Sequence, residues 1–583
     1  MFKLILELFK FIRTDKKIKL IFLFFLTIFA SFAEVVSLGS LLPFVSFISN
    51  PEKTNEIEIL NTILNYFQIL GYKDTVKFLA YFFILAAIVA GLSRIFLLKL
   101  SIDLSRLIGT ELSSDIFKKI LTQNYLKHIS VHSSEMISGL TQKVSQASGI
   151  LVSVITLLTS TVLFVSILIT LIIIDPVISL LSALTFGSMY LIIGFINRKK
   201  LIGNSKFISN EQDNVVKILQ ESLGSIRDII LSRTYKVYFS IYNKSIFTLN
   251  SALSQNAFVN QSPRFFMETV GMVLISGIII SYTREDFDLK NIIPILAVLA
   301  LGAQRLLPLM QMIYGNLTVI LGSTAGLEDV LKLLRKKEKT NFIIDNDKSF
   351  KFNKDITIKN IFFSYKKNSQ YALKNINLKI KSGSRVGIIG ETGSGKSTLL
   401  DVIAGLVKAD KGAIYIDNVK LDQKNLKYWY NKISYVPQNI FLLDTSIKQN
   451  IALGVNKEEI DIKRIKFALK VSKLDKFISK HKNGYDLVVG EKGVRLSGGQ
   501  RQRIGLARAI YRKSSIILFD EATAALDSET EKTVIESINN ISKNITTIMI
   551  AHRISSLRYC DKIIKIKAGQ IEGIYKYKDI KKL

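Results

Sequence analysis

The sequence predicts a multidomain membrane protein: an all-α domain of six transmembrane spans, followed by an α/β domain built on a phosphate-binding loop. Three observations carry this expectation. Apolar residues make up 48% of the 583-residue chain, mean hydropathy is +0.29, and the apolar residues crowd into about the first 320 positions in runs long enough to cross a bilayer. The stretch from Arg385 to Leu400, RVGIIGETGSGKSTLL, reads as a buried strand, a glycine-rich turn and a helix start. Further on, the apolar run 516–519 reads as a second strand, ending in Asp520 and Glu521.

Length and composition bound the rest. A chain this long holds about three or four domains' worth of residues by the soluble-protein prior, which the apolar N-terminal part does not obey. A net charge of +32 is compatible with nucleic-acid binding, but much of the excess sits in loops beside apolar spans, where Lys and Arg set membrane orientation. No nucleic-acid partner is therefore expected. The single cysteine, Cys560, excludes an intramolecular disulfide and any Cys-based metal site.

Taken in order, the first span is expected over 18–47. Lys16, Lys17 and Lys19 flank it, and it is too long for a signal-peptide core. Ile57, Leu60, Leu64 and Phe67 then recur at helical spacing, predicting an amphipathic helix outside the bilayer. Further spans are expected over 76–100, 150–174, 177–196, 265–282 and 292–314, with a turn at Asp175 and Pro176. Between them, 102–148 and 207–260 stay helical but polar and carry most of the basic loop residues. The loop with Glu285, Asp286 and Asp288 is acidic, so both termini are placed in the cytosol. The domains expected are 1–325 for the membrane part, 326–350 for a charged helical linker and 351–583 for the α/β part.

The chemistry is concentrated in that last part. Gly390, Lys396 and Ser397 satisfy G-x-x-x-x-G-K-[ST] between a strand and a helix. The candidate polyphosphate cradle is Gly390, Glu391, Thr392, Gly393, Ser394, Gly395, Lys396, Ser397 and Thr398, whose N–H groups and helix dipole face an anion. Lys396 reaches for the β/γ-phosphates and Ser397 for Mg²⁺. Asp520, at a strand end, is a second candidate Mg²⁺ holder, and Glu521 a candidate general base. Ser497, Gly498, Gly499 and Gln500 open another helix and offer a second anion-binding turn, so ATP is expected between two chains, each contributing one turn. His128, His132 and His481 have no partners at ligand spacing and are expected on the surface.

The order of phosphate loop, Gln438 in YVPQN, LSGGQ, ILFDE, Ala524-Ala525-Leu526-Asp527 and His552 in IAHR resembles the nucleotide-binding domain of ABC transporters. With six spans ahead of it, the whole chain resembles a type I ABC exporter half-transporter, a transmembrane domain fused to an α/β P-loop NTPase domain. The resemblance implies that Tyr365 stacks on adenine and that Gln438 touches Mg²⁺ and senses the membrane domain. It implies that His552 holds the γ-phosphate and positions Glu521, and that Ser497 to Gln500 meet the nucleotide of an identical partner chain. Asp527 then lies at the dimer seam, 489–493 resembles the segment that meets the coupling helices, and those helices fall at 124–132 and 225–235. The cofactors implied are ATP and Mg²⁺, in an ATPase of the inner membrane with its catalytic domain in the cytosol.

For the cargo, Glu34, Arg94, Arg264, Glu268 and Arg305 are the charges inside or beside spans. Arg264 and Glu268 are spaced to pair along their helix, and Arg94 is placed to snorkel toward the cytosol with Lys99. Arg305 lies about nine residues, roughly 13 Å, inside its span. Ser262-Pro263-Arg264, the arginine in AQRLLP and the outer amphipathic helix resemble the lipid-linked oligosaccharide flippases of bacterial glycan assembly. That resemblance implies that Arg264 and Arg305 face a polyprenyl pyrophosphate. A multidrug or lipid A type exporter has the same architecture, and an ATP-gated channel or regulator is the alternative from another class.

Overall fold

The computed structural model describes residues 1–49, 72–174, 176–282, 289–335, 352–366, 369–521, 531–533, 536, 545–551 and 553–580. The expected outer helix at 57–67, the acidic loop at 285–288, Asp527 and His552 lie outside the described residues. The chain divides into two compact units, Met1–Gln123 with Val131–Thr340, and Asn124–Ser130 with Asn341–Leu583.

Among the described residues, every regular element of the first unit is a helix. Its elements are α1 (Phe2–Phe11), α2 (Thr14–Ser49), α3 (Tyr72–Leu121), α5 (Ser133–Ser138), α6 (Val144–Ile174), α7 (Pro176–Gly224), α8 (Ile226–Leu231), α9 (Tyr235–Tyr282), α10 (Leu289–Gly322) and α11 (Thr324–Arg335); α4 (Tyr125–Ser130) belongs to the second unit. Among the described residues four helical stretches are long and apolar enough to cross a membrane, five when the bent pair α10 and α11 is taken as one span. The expected spans at 265–282 and 292–314 fall on α9 and α10, parts of which carry side chains outside the described set. The polar excursions are continuations of the same helices: α3 runs for 50 residues and α7 for 49, each about 75 Å at the helical rise. Short helices stand where coupling helices were expected, α4 and α8.

Two features hold these helices in register. Pro263 interrupts α9, and since proline has no N–H, the carbonyl of Val259 loses its helical donor. Tyr314 Oη of α10 donates to that carbonyl at 3.0 Å, and Gln311 Nε2 donates to the next one, Asn260, at 2.9 Å. Tyr190 Oη of α7 in turn donates to Gln311 Oε1 at 3.0 Å. The other feature is a π-turn, Gly139–Lys143, between α5 and α6. It carries the buried Lys143, whose Nζ lies 2.8 Å from both Asp213 of α7 and Asp329 of α11. The stretch expected as a linker begins as α11, whose Leu327, Val330, Leu331 and Leu334 are buried in the core of this unit; 336–350 lies outside the described residues. That spacing gives one apolar face, which packing rather than solvent takes up.

The second unit holds two sheets. Four antiparallel strands run in the order β2 (Leu373–Lys381), β1 (Asp355–Phe363), β4 (Lys411–Ile416) and β5 (Val419–Lys420). Six more run β10 (Gln570–Tyr575), β9 (Lys562–Lys567), β3 (Arg385–Ile389), β8 (Thr546–Ile550), β7 (Ile516–Asp520) and β6 (Ile433–Val436), parallel except for the β9–β10 pair. Both faces of this sheet are covered, and strand alternation divides the cores. Ile516 and Leu518 of β7 pack with α12 (Lys396–Ala404) and the antiparallel sheet, in the core that Leu126 of α4 also joins. Ile517 and Phe519 pack with α14 (Ile447–Ile451), α15 (Ile462–Val471) and α17 (Gly498–Tyr511). Short helices α13 (Leu426–Tyr430), α16 (Asp475–Ser479) and α18 (Tyr577–Ile580) complete the unit.

Candidate nucleotide site and membrane charges

In an open parallel sheet, ligands bind beyond the carboxyl ends of the strands, and the candidate residues gather there. β3 is buried between β8 and β9 and ends at Ile389, so the loop that follows must turn sharply over the sheet. Gly390 (φ 152°) and Gly395 (φ 104°) make that turn. A Cβ at Gly390 would collide with the Ile566 carbonyl, and one at Gly395 would lie 2.7 Å from the Ala372 carbonyl, so only glycine fits. Lys396, 7% exposed, donates from Nζ to the carbonyls of Gly390 (2.9 Å) and Glu391 (2.8 Å) and closes the loop into a ring. Ser394 Oγ is buried inside this loop with no hydrogen-bond partner among the described residues. A glycine cradle at a helix start, a buried ammonium and an orphaned hydroxyl fit a polyphosphate.

Ser397 Oγ donates to Asp520 Oδ1 at 3.1 Å, bringing together the two residues expected to hold Mg²⁺. Tyr435 Oη donates to the other oxygen, Asp520 Oδ2, at 2.9 Å. Burial, the Asp520 charge and this bond push the Tyr435 phenol far above its ordinary value, so it stays a donor and fixes the carboxylate. Among the described residues no cluster of three or more His, Cys, Asp or Glu is placed to hold a metal. A hydroxyl and a carboxylate suit Mg²⁺, which takes oxygen ligands and fills its octahedron with phosphates and water. Gln438 Nε2 donates to Glu521 Oε2 at 2.7 Å, and Glu521 takes φ 51°, a left-handed conformation rare for a residue with a side chain.

Tyr365 is 48% exposed, packs edge-on against Phe363 and places its hydroxyl 3.0 Å from Thr398 Oγ1, so its ring borders the helix start. Ser497 caps α17 through a capping box: its Oγ accepts from Gln500 N at 3.3 Å, and Gln500 Oε1 accepts from Ser497 N at 2.8 Å. Gly498 and Gly499 form the first turn of that helix. Within the segment 489–493, Glu491–Gly493 makes a 3₁₀ turn with Lys492 at φ 51°. Thr392 and Gly393 complete the loop, Gly393 at φ 81°.

Two residues of this site were not expected. Tyr435 lies inside the motif around Gln438, but nothing in the sequence says which strand faces Asp520. Asp401 stands four residues after Ser397, on the same face of α12. Burial, and then the Asp520 charge, push it up to about 6. The i, i+4 spacing from a candidate metal ligand was the signal available for it.

The charges of the helical unit form a second group. Arg94 does not run along its own helix. Its Nη1 lies 2.9 Å from Glu34 Oε1, and Arg305 Nη1 binds the same oxygen. Glu34 is 1% exposed, whereas the side chains of Arg94 and Arg305 are 43% and 30% exposed. Arg264 Nε pairs with Glu268 Oε1 at 2.8 Å along α9, a different carboxylate from the one that Arg305 binds. His128, His132 and His481 make no metal cluster among the described residues; His481 packs edge-on against Phe477.

Comparison with known proteins gives a consistent picture. Residues 373–524 match the family model described as ABC transporter. The chain is 42% identical over 217 residues to the ATP-dependent lipid A-core flippase of Wigglesworthia glossinidia brevipalpis and 40% identical over 217 residues to that of Escherichia coli K12, in each case 37% of both chains. It is 32% identical over 388 residues to ABC transporter B family member 21 of Arabidopsis thaliana, 63% of this chain and 28% of the relative. The matches thus span well under half of these relatives' length. In fold, the chain is similar to a bacterial Atm1-family ABC exporter solved with ATP bound, with a TM-score of 0.74, 18% identity, and coverage of 95% of this chain and 96% of that one.

Proposed function

For a chain that carries an ABC transporter domain and has the fold of an ABC exporter half-transporter, we propose ATP-driven export of a lipid with an anionic headgroup across the cytoplasmic membrane. The observation that carries the energy source is the Ser397–Asp520 pair beside the buried Lys396 at the carboxyl edge of the parallel sheet. Lys396 and the loop N–H groups bind the polyphosphate. Ser397 and Asp520, the latter held by Tyr435, place the metal, while Gln438 orients Glu521, which takes the proton from the attacking water. Mg²⁺, when bound there, offsets the charge that develops on the transferring phosphoryl group. His552 and Tyr365 are the proposed γ-phosphate and adenine contacts. Ser497, Gly498, Gly499 and Gln500 are proposed to close the site of a second, identical chain, with both termini cytosolic.

The cargo reading rests on two arginines set among membrane-length helices with solvent-reachable side chains. A guanidinium keeps its charge and offers a planar fork matched to phosphate oxygens. Arg305, with Arg94 beside it on Glu34 and Arg264 on α9, is the proposed contact, and the finer proposal is a polyprenyl-pyrophosphate glycolipid such as a lipid-linked oligosaccharide. The identity to the lipid A-core flippases favours a second reading, a lipid A type lipid exporter. Purified chain in proteoliposomes separates them: ATPase stimulation is measured with a polyprenyl pyrophosphate, with lipid A and with a neutral hydrophobic dye. The first reading expects stimulation by the pyrophosphate, lost in Arg305→Ala and only partly restored by Arg305→Lys. Stimulation by lipid A alone selects the second, and by the dye alone a multidrug exporter. ATP binding without coupled movement of any of them would point to a gated channel.

A further inference from the structure

Two guanidinia and one carboxylate meet where α2, α3 and α10 pack, and they share a single oxygen, Glu34 Oε1. The other oxygen, Oε2, is buried with no hydrogen-bond donor among the described residues. Ser37 Oγ, one turn further along α2, is also buried and has no partner among the described residues. A buried carboxylate ordinarily satisfies both oxygens, because an unmade hydrogen bond in a dry site is costly. Here the charge of Glu34 is balanced by the two arginines, and each arginine uses one Nη1 for it while keeping other donors on a side chain that is part exposed. The group therefore carries a net single positive charge, with its negative member buried and its two positive members part exposed.

We propose that Glu34 is a specificity-determining residue, an internal counter-ion that competes with the anionic headgroup of the cargo for Arg94 and Arg305. The inference rests on the anionic-lipid reading above. An anion that reaches the exposed donors feels two attractive charges and one repulsive one at short range, so the carboxylate weakens its hold. That weakening serves a transporter, which must release what it binds. The buried carboxylate also gives each guanidinium somewhere to return, since an unpaired charge among apolar helices is costly. A neutral amphiphile gains nothing from the arginines and is indifferent to Glu34.

The test uses the full chain in lipid nanodiscs, with ATPase stimulation titrated by a polyprenyl phosphate and by the matching uncharged polyprenol. Glu34→Gln keeps the side chain's shape and removes its charge. It is expected to lower the half-saturating concentration of the phosphate about tenfold, to lower the maximal stimulated rate because release slows, and to leave the response to the polyprenol unchanged. Glu34→Gln with Arg94→Gln restores the net single charge and is expected to return half-saturation to within about threefold of wild type. This double variant also decides the matter if the single one does not fold, since it carries no like-charge pair. An unchanged or higher half-saturation in Glu34→Gln, or a double variant weakened tenfold or more, overturns the proposal and makes Glu34 a structural anchor. If wild type does not respond to the phosphate at all, the anionic-lipid reading fails, and this inference with it.

Discussion

Glu521 holds a backbone conformation that costs it energy, at φ 51°, and it is tied down by the Gln438 side chain and by its own N–H to the Ile550 carbonyl at 3.3 Å. Strain kept at the end of a central strand suits a group that must stay aimed. Glu521→Gln is expected to bind ATP within a few-fold of wild type while phosphate release falls by about 100-fold or more, whereas Lys396→Ala loses nucleotide binding itself; near-normal turnover in Glu521→Gln would remove it as the base. Cys560 makes the opposite case. Burial pushes its thiol up to about 12, so it is inert at neutral pH. The folded state keeps that proton through the window from about 9 to about 12, where the unfolded thiol has lost it, so this contribution to stability disappears as pH rises through the window. Iodoacetamide at pH 8 is expected to label Cys560 far more slowly in the native chain than after denaturation, since the half-buried thiol stays protonated there; equal rates would contradict the raised pKa. At this scale the phosphate loop was legible, because G-x-x-x-x-G-K-S is dictated by backbone chemistry within eight residues. The pairing of Glu34 with Arg94 and Arg305 was not, because it depends on which faces of three separate helices meet.

Among the elements, α9 shows how a helix keeps a proline. Tyr314 of α10 supplies the donor that Pro263 removes, Gln311 adds a donor to the next carbonyl, and Tyr190 of α7 orients Gln311, so three helices are joined beside the proline. Tyr314→Phe leaves the Val259 carbonyl buried without a donor and is expected to cost about 1–3 kcal/mol, read as a lower melting temperature in detergent. An unchanged melting temperature would mean that water or a shifted helix takes the place of the hydroxyl. Pro263 was legible at the opening of a span, but the donors that serve the carbonyls before it were not, since the Tyr314 hydroxyl lies 55 residues from Val259 and carries no local signal. The opposite holds for α11. Its apolar spacing at Leu327, Val330, Leu331 and Leu334 was in plain view, yet a stretch rich in Lys and Leu reads as a charged helical linker. The four-stranded antiparallel sheet was likewise present as an alternation, with Leu373, Ile376, Leu378 and Ile380 buried along β2, but it stood in the shadow of the stronger loop motif.

For the whole molecule, the division into an apolar helical part and an α/β part was legible because bilayer and water select different residue patterns. The number of spans was less so: long helices run from apolar into polar sequence without a break, and composition alone marks four of them among the described residues. The proposed assembly of two identical chains rests on the motif arithmetic, one phosphate loop and one Ser497-headed helix per chain. Mixing Lys396→Ala chains with Ser497→Arg chains is expected to give heterodimers with at most one intact site and a correspondingly reduced ATPase rate. A detergent-solubilised monomer that hydrolyses ATP at the full rate would exclude the shared site. The central claim is that hydrolysis at this site drives an anionic lipid across the membrane. The direct measurement is ATP-dependent movement of a fluorescent polyprenyl-pyrophosphate lipid between the leaflets of proteoliposomes holding the purified chain. Movement that requires ATP and Mg²⁺ and stops in Glu521→Gln is the predicted result; movement that continues at the same rate in Glu521→Gln, or hydrolysis with no lipid moved, contradicts it.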